Sequence, residues 1–129
     1  MILFLLIFTF MRLDQLEVYN LALELSHNCW EIYQNMDWRI KKIIGDQFMR
    51  STDSVGANIA EGFGRFHFLD KIKFYYTSRG SISESKHWLN LMLDRKILDQ
   101  SKFNELNNLL QAISIKLSNL ISITYKQKE

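Results

Sequence analysis

The sequence predicts an all-α, antiparallel up-down four-helix bundle, and three observations carry that prediction. Four long stretches place apolar residues at helical spacing, the segments between them are short, and the 129 residues include no proline to break a helix. No segment alternates apolar and polar residues over a useful length, so no sheet is expected.

The first helix is expected from about Asp14 to Asn35. Val18, Ala22, Leu25, Cys29 and Ile32 recur at spacings of 4, 3, 4 and 3, flanked by Tyr19, Ser26 and Tyr33. Met36-Asp37 is a tight connection, with Asp37 placed to cap the second helix. That helix runs from about Trp38 to Gly62, with Ile44, Phe48, Thr52, Val55 and Ile59 on its inner row. Gly62-Phe63-Gly64 supplies a flexible stop. The third helix spans about Leu69 to Arg95; Phe74, Ser78, Ser81, Ser85, Trp88 and Met92 face inward with Ile72, Tyr75, Ile82 and Leu89. The fourth spans about Ser101 to Lys126, capped by Asp99 or Ser101, with Leu106, Leu110, Ile113, Leu117, Leu120 and Thr124 in register. Connections this short make sequential helices antiparallel neighbours.

Size and composition agree with one globular domain, assigned to residues 13–127. Hydrophobic residues make up 47% and charged residues 23%, an ordinary globular balance. Cys29 is the single cysteine and has no intrachain partner, which points to a reducing compartment and a cytoplasmic location. Residues 1–12 form an apolar extension set outside the fold. Its run from Ile2 to Met11 is shorter than the ~20 residues of a membrane span, and it lacks the basic leader and small-residue cleavage site of a secretory signal. Met11 is expected to be the natural start, the other reading being a membrane-surface or partner-binding tail, and no membrane association is assigned.

The most tempting chemistry is metal binding. Glu24-x-x-His27 and Glu84-x-x-His87 lie on the first and third helices, with Glu61 and Glu105 on the other two, which is the ligand inventory of a di-iron bundle. Such ligands must all project inward. At about 100° per residue, His27 and His87 lie opposite their helices' apolar rows. Both are therefore expected in solvent, and no metal or cofactor is expected. Cys29 sits within an apolar row as a small hydrophobe, and no nucleophile elbow or phosphate-binding loop occurs. No catalytic residue is assigned, and the chain is not expected to be an enzyme.

Small and polar groups within the bundle are more informative. Gln47, Arg50, Ser54, Asn58 and Glu61 border the apolar row of the second helix, beside Gly56, Ala57 and Ala60. Gly80-Ser81 interrupts the third helix, where glycine costs about 1 kcal/mol relative to alanine, so a close backbone approach is expected there. Two readings stay open. One is helix packing with an internal polar network, in which Glu61 or Glu84 meets Arg50, Arg65 or Arg79. The other is a subunit contact or ligand cleft.

These strings resemble a known family. Asp46-Gln47-Phe48-Met49-Arg50-Ser51, Ser54-Val55-Gly56-Ala57-Asn58-Ile59-Ala60-Glu61-Gly62, Gly64-Arg65 and Ser78-Arg79-Gly80-Ser81-Ile82-Ser83-Glu84 resemble the four-helix bundle, or 23S ribosomal RNA intervening-sequence, protein family. The opening from Leu16 to Leu25 is also similar to that family's start, and the resemblance covers about residues 13 to 125. Gly56 departs from it, standing where the family usually has proline. The resemblance implies bacterial antiparallel bundles assembled as rings of five, hence a homopentamer. It also implies a link to RNA or DNA and to a protein client such as the reverse transcriptase of diversity-generating retroelements, with no established enzymatic activity. Asn58, Glu61, Gly62, Arg65, Gly80, Ser81 and Glu84 are then signature positions of structural or interfacial kind.

Charge is segregated along the chain. From Leu13 to Trp38 there are five acids and no Lys or Arg; from Arg39 to Lys96 eleven cations face six acids, a net of +5. Glu17, Glu24 and Glu31, seven apart, form one acidic stripe that suits a basic helix of another subunit, or simply solvent. The candidate nucleic-acid contacts are Arg39, Lys41 and Lys42 at the first turn and Arg65, Lys71 and Lys73 at the second. The two turns fall at opposite ends of an up-down bundle. Two functions follow: an oligomeric nucleic-acid-associated accessory protein, or a scaffold for a protein client that does not itself touch nucleic acid.

Overall fold

The structure, a computed structural model, describes residues 11–127, so the expectations for the apolar segment ahead of Met11 lie outside the described residues. A single 3-10 turn, Leu13–Gln15, leads into α1 (Glu17–Gln34). Helix α2 runs through three contiguous segments: an α turn at Trp38–Ile40, a π turn at Lys41–Gly45 and the long α segment Asp46–Phe63. Helices α3 (Phe68–Asp94) and α4 (Gln100–Gln127) complete the chain, and no strand occurs among the described residues. Each helix packs against its sequence neighbours and α4 closes onto α1, so the architecture is the expected four-helix bundle.

The apolar rows close on one another as their periodicity requires. Ala22, Leu25, Cys29, Ile44, Phe48, Val55, Ile59, Met92, Leu106, Leu110 and Ile113 are wholly buried, and Tyr75, Leu89 and Leu117 nearly so. Every residue of the expected inner rows of α2 and α4 is buried; on α1 Ile32 is only partly covered.

Local chemistry sets the ends. The Asp37 carboxylate accepts the Ile40 N–H at 2.9 Å, and Asp99 accepts the Lys102 N–H at 2.8 Å, so both aspartates cap as expected. Helix α1 starts later than Asp14 because Gln15 accepts the Arg12 N–H, which forms a separate turn, and Leu16 is extended. At the end of α3, Ile97 N–H reaches Met92 O and Lys96 N–H reaches Leu93 O, a Schellman closure whose left-handed residue is Lys96 at φ 58°.

Three expectations are corrected. Gly64 ends α2 with φ −77°, so the stop does not draw on glycine's left-handed freedom. Instead the Lys71 ammonium, reaching back from α3, donates to Phe63 O at 2.8 Å and Gly62 O at 3.5 Å. The close approach falls at Gly62: a Cβ there would lie 2.7 Å from Tyr75 Cε1, whereas among the described residues nothing beyond the local helix backbone lies within 4 Å of a Cβ at Gly80. Of the charged pairs anticipated for an internal network, Glu61 does meet Arg65, but on the exposed surface; inside the α2–α3 seam the polar contacts are made by hydroxyls. Ser85 donates to Ser51 at 3.1 Å, Ser81 to Ser54 at 2.9 Å, and the buried Ser78 to the Val55 carbonyl at 2.8 Å. Hydroxyls cost far less to desolvate than carboxylates or guanidinium groups, and these find partners on both helices.

Candidate nucleic-acid interface

The first basic cluster grows from the start of α2. The Asp37 cap fixes the turn and leaves Trp38 72% exposed, with Arg39 and Lys42 also in solvent. Lys41 is partly covered, its Nζ 4.9 Å from the centroid of the Tyr33 ring. Tyr33 in turn donates to Asp46 at 2.6 Å, which ties the end of α1 to α2. The π turn has a visible tertiary partner: a Cβ at Gly45 would stand 2.8 Å from Met36 Sδ and 3.2 Å from the Tyr33 ring. A π turn inserts one residue into the helix and re-aims what precedes it, here Arg39, Lys41 and Lys42.

The second cluster lies at the other end of α2, about 39 Å away at 1.5 Å per residue. Arg65 bonds Glu61 one turn back, and its guanidinium carbon stands 4.8 Å from the centroid of Phe74. Lys73 approaches the same ring at 5.9 Å. Lys71 differs from the others. Half-buried, it is engaged with the α2 carbonyls and stands 5.5 Å from the Phe63 ring, and desolvation holds its pKa below the ordinary lysine value. Its ammonium is a helix-ending group. The topology thus brings Arg65 and Lys73 to one aromatic ring, keeps Arg39, Lys41 and Lys42 together at the opposite end, and assigns Lys71 to the fold.

The signature positions divide in the same way. Asn58 donates to Ser54 within α2 and Ser81 joins α3 to α2, while Gly62 admits the Tyr75 ring. Glu61, Arg65 and Glu84 are exposed, Glu84 accepting from the Trp88 indole at 3.2 Å, and Gly80 faces open space. Between α1 and α2 lies a groove of about 280 Å³, lined by small residues including Ala22, Ser26, Gly56, Ala57 and Ala60. Sequence reasoning noted Gly56, Ala57 and Ala60 but not that Ala22 lies across from them; a Cβ on Gly56 would come within 3.3 Å of it. Cation–aromatic pairing was missed entirely. The signal available was the interleaving of Phe66, Phe74 and Tyr76 with Arg65, Lys73 and Arg79.

The two Glu-x-x-His motifs do not converge. His27 is exposed and 3.5 Å from Glu31, and the exposed His87 packs edge-on to Trp88. Among the described residues no three His, Cys, Asp or Glu side chains gather where they could hold a metal ion. Burial pushes the Cys29 thiol up to about 12, opposed by a hydrogen bond with Thr52, so the reactive thiolate is scarce at neutral pH. No helix among the described residues is long and apolar enough to cross a membrane.

Comparison with known proteins agrees with this architecture. No curated protein matches the chain in sequence. A crystal structure of a protein with unknown function from the S23 ribosomal protein family of Bacteroides thetaiotaomicron superposes with a TM-score of 0.74, at 22% identity, covering 81% of this chain and 95% of that one. That likeness carries the fold. Residues 14–119, nearly the whole bundle, match the family described as 23S rRNA-intervening sequence protein, and the chain belongs to that family.

Proposed function

We propose that this chain is a non-enzymatic, self-associating bundle that serves as a nucleic-acid-associated accessory protein, of ribosomal RNA or retroelement type. The observation that carries the reading is where the cations stand. Of the six candidate contacts, Arg39, Lys42, Arg65 and Lys73 are exposed and Lys41 is partly so, near the two ends of α2 and within the Arg39–Lys96 region of net charge +5. Phosphate binding draws on several such cations at once and weakens steeply with salt. A ring of copies would repeat each cluster around a rim, which supports self-association as part of the same reading. The acidic stripe of α1 supports it too: Glu24 lies in solvent, although Glu17 is engaged by Lys116 of α4 at 3.0 Å.

The test is filter binding to structured ribosomal RNA fragments. With three or four phosphate contacts, affinity is expected to fall roughly 40- to 150-fold between 50 and 200 mM salt. Reversing the charges of Arg39, Lys41 and Lys42 together is expected to flatten that dependence. Absent or salt-insensitive binding rejects the reading. Light scattering of the chain from Met11 reads the assembly directly, a ring of five being expected and a monomer counting against it.

A second reading, a scaffold for a protein client, is favoured by the small-residue groove between α1 and α2, where Leu23 at its lip is 50% exposed. Under that reading one dominant protein partner survives nuclease treatment during affinity purification. Loss of every partner on nuclease treatment counts against it.

A further inference from the structure

The first half of α3 carries an outward stripe whose chemistry differs from that of an ordinary solvated helix face. Leu69, Lys73, Tyr76 and Gly80 follow one another at spacings of 4, 3 and 4, the repeat of one helical face. Leu69 is 64% exposed and Tyr76 44%, and in the turn just before the helix Phe66 is 91% exposed. Large apolar side chains gathered beside cations mark a contact surface more often than scattered ones do.

The flanks of the stripe are cation–aromatic pairs. On the α2 side, Arg65 and Lys73 approach the partly buried Phe74 ring at 4.8 and 5.9 Å. On the α4 side, Arg79 stands 5.3 Å from the Tyr76 ring, and the Tyr76 hydroxyl is 3.3 Å from that of Tyr125, itself 43% exposed. Arg79 is steadied by Ser118 at 3.3 Å. The neighbouring carboxylates are few: Glu61 is engaged by Arg65, Glu84 receives the Trp88 N–H beyond Gly80, and Asp70 stands in the first turn of α3. Gly80 supplies the remaining feature. Among the described residues nothing beyond the local helix backbone packs on it, yet it carries glycine's helix penalty, and it leaves bare backbone one turn past Tyr76.

We infer that the Phe66–Gly80 face of α3 is a stacking site for single-stranded nucleic acid, with Phe66 and Tyr76 receiving bases and Arg65, Lys73 and Arg79 receiving phosphates. The inference rests on the nucleic-acid reading above and names the form of the ligand. Every base has a π face that an exposed aromatic ring or guanidinium plane can cover, but in a duplex those faces are already stacked on each other. Phosphates alone would need the cations and leave Phe66, Leu69 and Tyr76 idle. From Leu69 to Gly80 the stripe runs about 17 Å at 1.5 Å per residue, room for about five nucleotides at the ~3.4 Å spacing of a stacked strand.

Fluorescence anisotropy of the full chain with a labelled single-stranded 12-mer RNA, against a hairpin duplex of the same composition, tests the site. The single strand is expected to bind at least tenfold more tightly. Phe66→Ala, at a 91% exposed position and so folded as judged by circular dichroism, should lose about tenfold for the single strand with an unchanged salt slope. Phe66→Trp should retain binding, and Lys73→Gln should lower the salt slope by about one ion. Equal binding of duplex and single strand, with Phe66→Ala silent, overturns this site while the wider reading stands. No binding of either ligand at low salt sinks both. Phe66-dependent capture by anionic vesicles, or a Phe66-dependent change in oligomer mass, without single-strand binding assigns the face to a membrane or to another copy and overturns the inference.

Discussion

Two seams of this bundle are built on opposite terms. Where α2 meets α3, the contact residues are small: Ser51, Ser54, Ser78, Ser81 and Ser85 exchange hydrogen bonds across it, and Gly62 lets a buried Tyr75 ring lie against the α2 backbone. Helix α4 instead contributes Leu106, Leu110, Ile113, Leu117 and Leu120, and its buried Thr124 satisfies itself on Leu120 O at 2.7 Å. One seam brings backbones close and fixes register through directed hydroxyls in its interior; the other fills volume there and keeps its polar contacts, such as Arg79 with Ser118 and Lys116 with Glu17, on its outer rim. The difference teaches where each should be sensitive. The leucine seam should respond to lost volume and the serine seam to added volume.

The largest effect is expected where volume is removed. Leu110→Ala leaves a hole at a fully buried site and should destabilise the chain by about 3 kcal/mol, read from the urea midpoint at unchanged slope. Adding one methyl at Gly62 tests the other seam. The new Cβ would meet Tyr75 at 2.7 and 2.9 Å and the Lys71 carbonyl at 3.0 Å, and neither a 1%-exposed ring nor backbone gives way easily. Overpacking of this kind outweighs alanine's better helix propensity, for a net cost of about 1–2 kcal/mol. A stabilised Gly62→Ala protein would erase the distinction between the seams. Ser85→Ala should cost less, about 0.5–1 kcal/mol, because Ser51 keeps its bond to Phe48 O and no buried group is orphaned.

The apolar rows and the caps were legible in the sequence because both follow from short-range rules. Residues spaced by three and four must share a face, and an aspartate just ahead of a helix meets the free N–H groups of its first turn. What escaped was tertiary. The π turn at Lys41–Gly45 lies under Tyr33, at the end of α1, and Met36, in the connection that follows it. Lys71 read as a free cation because nothing local says that α2's last carbonyls lie within its reach. The close approach expected at Gly80 falls at Gly62, which continues the row of Val55 and Ile59, a spacing that points inward. For the site, the clusters are legible as charge, whereas the seating of Arg65 against Phe74 depends on how α2 turns into α3.

Gly80 gives an effect as small as that of Ser85→Ala and the sharpest contrast with Gly62. The same glycine-to-alanine change should reverse sign here, because among the described residues no atom beyond the local helix backbone lies within 4 Å of the new methyl, and the helix gains propensity. Gly80→Ala is expected to stabilise the chain by about 0.5–1 kcal/mol, a rise of roughly 2–4 °C in Tm for a domain of this size. Lys96→Gly provides a control of similar magnitude: it relieves the left-handed backbone at φ 58° far from the α3 stripe. If Gly80 serves the outer face, its alanine variant should gain stability and lose affinity for single-stranded RNA a few-fold, whereas Lys96→Gly should gain stability and bind as before. Should both variants bind equally well, the bare backbone at Gly80 contributes nothing to recognition, and the stacking site would rest on Phe66 and Tyr76 alone.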